Sequence, residues 1–144
     1  MRIFKKQGQR GTSIVEFTVV LGVLLVLLLG AIEGGRAIYT FNIVAHAAKQ
    51  GVRFIAVRGA DAAQDARRTD APATTADVVT FVRGQAPSLA GATVNVTWPL
   101  DGDGNIDQSA GRLVQVDVST NFTGSTALIP NINISSTASG VIYY

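Results

Sequence analysis

The hydrophobic residues near the N-terminus form one long run. From Ile14 to Ile32 the chain has nineteen residues with a single charge, Glu16. A helix rises about 1.5 Å per residue and a bilayer core is about 30 Å thick, so this run is just long enough to span a membrane. The pattern predicts a transmembrane segment over residues 12–33.

After Arg36 the apolar positions recur at helical spacing. Steps of three and four residues separate the members of an apolar seam: Ile38, Phe41, Ala45, Ala48, Val52 and Ile55. A helix buries such a seam against another element. We therefore expect the membrane helix to continue as an amphipathic helix over residues 34–60. Its seam is expected to pack either on the C-terminal domain or on neighbouring subunits.

Residues 61–144 have the composition of a small globular domain. Thr74 and Asp77 match a capping box, in which a threonine and an acidic residue three positions later bond each other's backbone N–H groups. This predicts a short helix from about Thr75 to Gln85, closed by Pro87.

Apolar and polar residues then alternate, which is typical of half-buried strands. The alternation covers Ala92 to Trp98 and Leu113 to Ser119, and a third strand is expected between Asn131 and Tyr144. Strands of this kind form an antiparallel sheet that buries one face on a helix. The predicted fold class is α+β: a long N-terminal helix, a small C-terminal antiparallel sheet and one short helix.

The charges are distributed unevenly along the chain. Four of the twelve basic residues precede the apolar run: Arg2, Lys5, Lys6 and Arg10. Beyond Arg10, eight basic residues stand against ten acidic ones, which argues against a nucleic-acid partner. Positive charge ahead of a membrane span favours a cytoplasmic N-terminus. The sequence predicts one span, with the C-terminal domain exported.

Residue types that carry catalysis or bind metals are scarce. The chain has no cysteine and one histidine, His46, which leaves little for a metal centre or a serine–histidine–acid triad. No glycine-rich phosphate loop is present. We expect a protein that is not an enzyme and that needs no cofactor.

One loop has the oxygen-bearing side chains that calcium prefers. These side chains alternate along residues 101–107: Asp101, Asp103, Asn105 and Asp107. At the position of an EF-hand's bidentate glutamate the chain has Arg112, and Asp-Gly pairs are also typical of hairpin turns, so we favour a plain hairpin loop. Calcium binding defines the alternative function: a signal-anchored or secreted binding domain whose apolar run is an export signal.

Glu16 is the unusual residue of the apolar run. A carboxylate at mid-bilayer costs about 2.5–3.5 kcal/mol, and less near an interface. Glu16 either lies at headgroup depth, where it is tolerated, or meets a partner charge in an assembled state.

The residues around Glu16 resemble the class III signal of type IV pilins and pseudopilins. They read Gly11-Thr12-Ser13-Ile14-Val15-Glu16-Phe17 and follow a basic stretch. The resemblance implies that a prepilin peptidase removes residues 1–11 by cutting between Gly11 and Thr12. Glu16 then becomes the fifth residue of the mature chain, where the family's carboxylate pairs with the N-terminal amine of a neighbouring subunit.

The next residues resemble the TadE-like branch, the minor pseudopilins of the tight-adherence (Flp) pilus system. The resemblance rests on Glu33-Gly34-Gly35-Arg36 and on the stretch from Asn42 to Arg53. Phe17 replaces a tyrosine common in Flp major pilins, which argues against that role, and Lys49 replaces a frequent arginine.

This resemblance implies where the protein works and with what. It implies a minor subunit that helps to assemble a thin pilus for adhesion, biofilm formation or secretion. The implied location is the bacterial inner membrane, or the pilus itself. The implied partners are prepilin peptidase, other pilin and pseudopilin subunits, the inner-membrane assembly platform and membrane lipid.

Overall fold

The computed structural model describes residues 9–125 and 130–144, with side chains from Thr12 onward. Two helices precede three strands: α1 (Gln9–Ala56), α2 (Thr75–Arg83), β1 (Thr93–Thr97), β2 (Leu113–Phe122) and β3 (Ile132–Val141). The predicted α+β class, the long first helix and the three-stranded sheet are confirmed. The chain divides into two units, Met1–Arg36 and Ala37–Tyr144.

The sheet is antiparallel with the order β1-β2-β3. Its central strand, β2, pairs with β3 along its whole length, from Leu113 opposite Val141 to Phe122 opposite Ile132. Alternate residues of β2 point to opposite faces. Three valines of one face are therefore fully buried: Val114, Val116 and Val118. Leu113 on the other face is 62% exposed.

The C-terminal part of α1 forms the core together with α2 and the sheet. Its buried residues are Val44, Ala47, Ala48, Val52 and Ile55. They share one cluster with Val78 and Val82 of α2 and with the three valines of β2. A Cβ on Gly51 would stand 3.1 Å from Val82 and 3.2 Å from Val116. Glycine and alanine on this side of α1 thus let the helix approach both elements closely.

Helix α2 begins with the capping box that the sequence predicts. The Thr74 hydroxyl accepts the N–H of Asp77 at 3.2 Å, and the Asp77 carboxylate accepts the N–H of Thr74 at 3.0 Å. The Nε1–H of Trp98 donates to Oγ1 of Thr75 at 2.9 Å. This bond joins the start of α2 to the chain just after β1.

The connection after α1 is held to the end of that helix. The guanidinium of Arg58 lies 4.0 Å from the ring centroid of Phe54 and donates to the carboxylate of Asp70 at 2.6 Å. Phe54 in turn stacks on Phe81 of α2, with ring centroids 4.5 Å apart. Both ends of the connection are therefore tied to the core.

Candidate assembly surface on the N-terminal helix

The first half of α1 presents large apolar side chains in every direction. Between Ile14 and Ile32 the large apolar side chains are 40–67% exposed. Within the described ranges, this is the one helix long and apolar enough to cross a membrane. A helix bonds its own backbone N–H and C=O groups, as lipid requires. The surface is thus compatible with a single-pass membrane anchor.

Glu16 interrupts this apolar surface near its start. Its side chain is exposed, and no basic side chain in residues 12–125 or 130–144 lies within ion-pair distance. The polar side chain of Thr18, in contrast, has a partner within the helix: its hydroxyl donates to the carbonyl oxygen of Ile14 at 2.8 Å. A carboxylate in lipid is costly until something neutralises it. In a membrane, Glu16 would therefore need either headgroup depth or a partner charge.

The predicted processing position lies at the N-terminal end of α1. Gly11 and Thr12 both belong to the helix, and Thr12 is exposed. Residues 1–8 of the predicted leader lie outside the described residues. Thr12 and Glu16 are four residues apart, so they share one helix face and are separated by about 6 Å along the axis.

A second carboxylate follows the apolar run and has a partner. Glu33 is 3% exposed and is the one buried charged residue in the described part of the chain. Its Oε2 accepts a hydrogen bond from Nη1 of Arg36 at 3.0 Å, one helical turn later. The partner charge offsets part of the cost of burying Glu33. The i,i+3 spacing of Glu33 and Arg36 directly after an apolar run is the sequence signal that indicates this ion pair.

The structure divides the predicted apolar seam. Ala48, Val52 and Ile55 belong to the core of the chain, and Ala45 is half-buried. Ile38 and Phe41 are 65% and 50% exposed, and Tyr39 between them is 67% exposed. For the first two residues of the seam, packing on a neighbouring subunit stays a prediction.

The aspartate-rich loop uses its carboxylates to hold a turn. Leu100 and Ile106 form an isolated antiparallel bridge across the loop. Oδ1 of Asp101 accepts the backbone N–H groups of Asp103 at 2.9 Å and Asn105 at 2.8 Å. The bond from Asn105 is the largest cause that lowers the pKa of Asp101.

The last carboxylate of this loop is bonded in a similar way. Asp107 accepts the hydroxyl of Ser109 at 2.6 Å and pairs with Arg112 at 2.5 Å, and the bond from Ser109 is the main cause that lowers its pKa. Among the described residues no group of three or more His, Cys, Asp or Glu is placed to hold a metal ion. The arrangement is that of a hydrogen-bonded hairpin loop.

Fold and surface together define an α+β protein whose N-terminal helix is compatible with a single-pass anchor. Residues 11–53 match the family model of TadE-like proteins, which confirms the resemblance seen in the sequence. The match relates the chain to tight-adherence pilus systems and covers less than a third of its length. It begins at Gly11 and includes Glu16, Glu33 and Arg36. Comparison with curated proteins and with solved structures found no match.

Proposed function

We propose that the chain is a minor pilin or pseudopilin subunit that takes part in assembling a thin tight-adherence pilus. The observation that supports this proposal most directly is the spacing of Gly11 and Glu16 at the start of the family match. The family match starts at Gly11, five residues before Glu16, and this carboxylate stands exposed at the start of the apolar helix. The protein acts by packing and charge pairing, and catalyses no reaction itself.

The proposed assembly step starts with proteolysis of the leader. Prepilin peptidase cuts between Gly11 and Thr12 on the cytoplasmic side of the inner membrane. The new amine of Thr12 then carries a positive charge at neutral pH. In the membrane, opposite charges attract more strongly than in water, because the surrounding dielectric constant is low.

Pairing in this scheme takes place between molecules. The amine of one subunit neutralises Glu16 of its neighbour, and the apolar surfaces of the two helices pack against each other. Adhesion, biofilm formation or secretion follows from the assembled pilus. The C-terminal unit, Ala37–Tyr144, faces the exported side and contacts other pilus-system proteins there.

Mass spectrometry of the membrane-extracted protein tests this proposal directly. The mature N-terminus is read from cells with and without a prepilin peptidase. We expect a chain that starts at Thr12 only when the peptidase is present. A start at Met1 in both cells, or a start beyond Ala31, would discard the proposal and favour a signal-anchored or secreted binding domain.

Two matched variants separate specific processing from general loss of export. Gly11→Val places a bulky side chain next to the proposed scissile bond, whereas Gly8→Val changes the same residue type three positions earlier. We expect the first variant to keep its leader and the second to be processed. Equal processing of both would show that the cut lies elsewhere.

A further inference from the structure

A surface groove lies between the end of α1 and the edge of the sheet. It has a volume of about 270 Å³, and its walls are Lys49, Arg53 and Ala56 of α1 and residues 138–141 of β3. Small residues of β3 line the groove on the side that faces α1. Ala138 and Gly140 are opposite Val116 and Val114 in the register, so they share the face of those buried valines.

β3 is a long edge strand. It lacks the features that usually keep an edge strand from pairing with another chain. Within the described ranges it pairs with β2 only, and its residues Ile132–Val141 contain no charge and no proline. Proteins commonly protect such edges with lysine, proline, bulges or very short strands. β1, the strand at the opposite edge, has five residues, whereas β3 has ten. Alternate backbone N–H and C=O groups of β3 therefore have no strand partner on the outer side in residues 9–125 and 130–144, and they can pair with a further strand.

The α1 wall of the groove is positively charged. Neither Lys49 nor Arg53 forms an ion pair with any side chain in residues 12–125 or 130–144. This charge is local, because the unit Ala37–Tyr144 contains seven basic and eight acidic residues. An acidic occupant would complement this wall.

We propose that β3 and this groove bind an extended acidic segment of a partner protein, which adds to the sheet as a fourth strand. Backbone hydrogen bonds to β3 supply affinity, and carboxylates that face Lys49 and Arg53 supply specificity. The two cations lie about 6 Å apart along the helix axis. Two acidic residues at alternate positions of a strand lie about 7 Å apart on one face, so their spacing is similar.

A second copy of this chain fits the groove less well. β3 itself has no acidic residue to offer. Two copies paired through β3 would also bring two basic groove walls towards each other. Binding at β3 does not depend on the role of Glu16 in the membrane, and peptide binding tests it without pilus assembly.

The test uses the full chain in detergent and a fluorescent ten-residue peptide of threonine and valine with two glutamates two positions apart. We expect saturable binding, and new protection from hydrogen exchange at amides of β3. Lysines in place of the glutamates should abolish binding. N-methylation of alternate peptide nitrogens should abolish it too, because the methyl groups remove the donors of the added strand.

Matched variants test the charged wall. Arg53→Glu should weaken peptide binding about tenfold, since one attraction becomes a repulsion. Arg67→Glu makes the same charge change away from the groove and should bind as the wild type does. Trp98 fluorescence establishes that both variants are folded.

Three outcomes would overturn the proposal. One is equal peptide binding by the wild type and Arg53→Glu. Another is binding that leaves the exchange of β3 unchanged. The third is protection of β3 that rises with protein concentration in the absence of peptide, because a second copy would then occupy the edge.

Discussion

Val52 of α1 and Gly140 of β3 approach so closely that a Cβ on Gly140 would stand 2.5 Å from Cγ1 of Val52. Val52 is 6% exposed and belongs to the core cluster. Helix and strand are therefore in contact through a position that has no side chain. This contact fixes how near α1 lies to the outer strand.

Gly140→Ala should destabilise the folded unit. The added methyl group overpacks the contact with Val52, which typically costs about 1–3 kcal/mol. Chemical unfolding followed by Trp98 fluorescence measures the change. Gly91→Ala is the control, because a Cβ at Gly91 meets nothing within 4 Å.

A double variant tests the cause of this loss. Val52→Ala removes the methyl groups that the new side chain of Gly140→Ala would contact. The double variant should therefore lose less stability than the sum of the losses in the two single variants. Strictly additive costs would show that the strain at Gly140 arises elsewhere.

Thr74→Ala should remove about 1 kcal/mol of stability, because the N–H of Asp77 loses its capping acceptor. Thr80→Ala on the same helix is the matched control. The Thr80 hydroxyl bonds the carbonyl oxygen of Ala76 within the helix, and alanine is the better helix former. A loss of equal size in both variants would contradict the role of the cap.

Acid should destabilise the C-terminal unit through Asp70. The hydrogen bond from Arg58 is the first cause that lowers the pKa of Asp70 below its ordinary value of 3.8. The unfolded chain then binds more protons than the folded one as the pH falls through 3.8, so stability present above that value is lost towards the lower, folded pKa.

Thermal melts between about pH 5 and pH 2 measure this dependence on acid. Asp70→Asn should flatten it, and Arg58→Gln should do the same because it removes the same ion pair. An unchanged slope in both variants would exclude this pair as a source.

Glu16→Ala should leave membrane insertion intact and impair pilus assembly, because it removes a costly charge from the apolar helix together with its proposed intermolecular partner. Immunoblots of the membrane fraction and of sheared pili measure the two effects. Thr18→Ala removes a polar side chain two residues later and should assemble normally. Unchanged piliation by Glu16→Ala would contradict the pairing.

Calcium should not raise the melting temperature of the full chain. The carboxylates of Asp101 and Asp107 already accept hydrogen bonds within their loop. A ligand that binds the folded state raises its melting temperature, so melts with calcium chloride and with a chelator distinguish the two cases. A calcium-dependent rise that Asp103→Asn removes would favour the binding-domain alternative.

Local patterns located the elements well because each pattern has a short period. Alternation placed β1 at residues 92–98 and the structure has Thr93–Thr97. The capping box placed the start of α2 at Thr75, where it begins. β2 extends past the predicted Ser119 to Phe122, because Asn121 and Phe122 pair with residues of β3 that local alternation does not reveal.

The buried side of α1 shows where periodicity was insufficient. The predicted seam included Phe41 and Ala45, whereas the core contains Val44 and Ala47. Both stripes have helical spacing and both are apolar. The two sets share Ala48, Val52 and Ile55, and the buried face includes Gly51, whose close approach to Val82 and Val116 involves partners distant in sequence.

The sequence by itself determined the long apolar segment, the position of Glu16 within it and the type and order of the secondary-structure elements. These depend on composition and on residues a few positions apart. The tertiary structure decided the strand order, the close contact of Val52 with Gly140 and the basic groove beside β3. These depend on residues distant in sequence, whose separation is set by how the helix packs on the sheet.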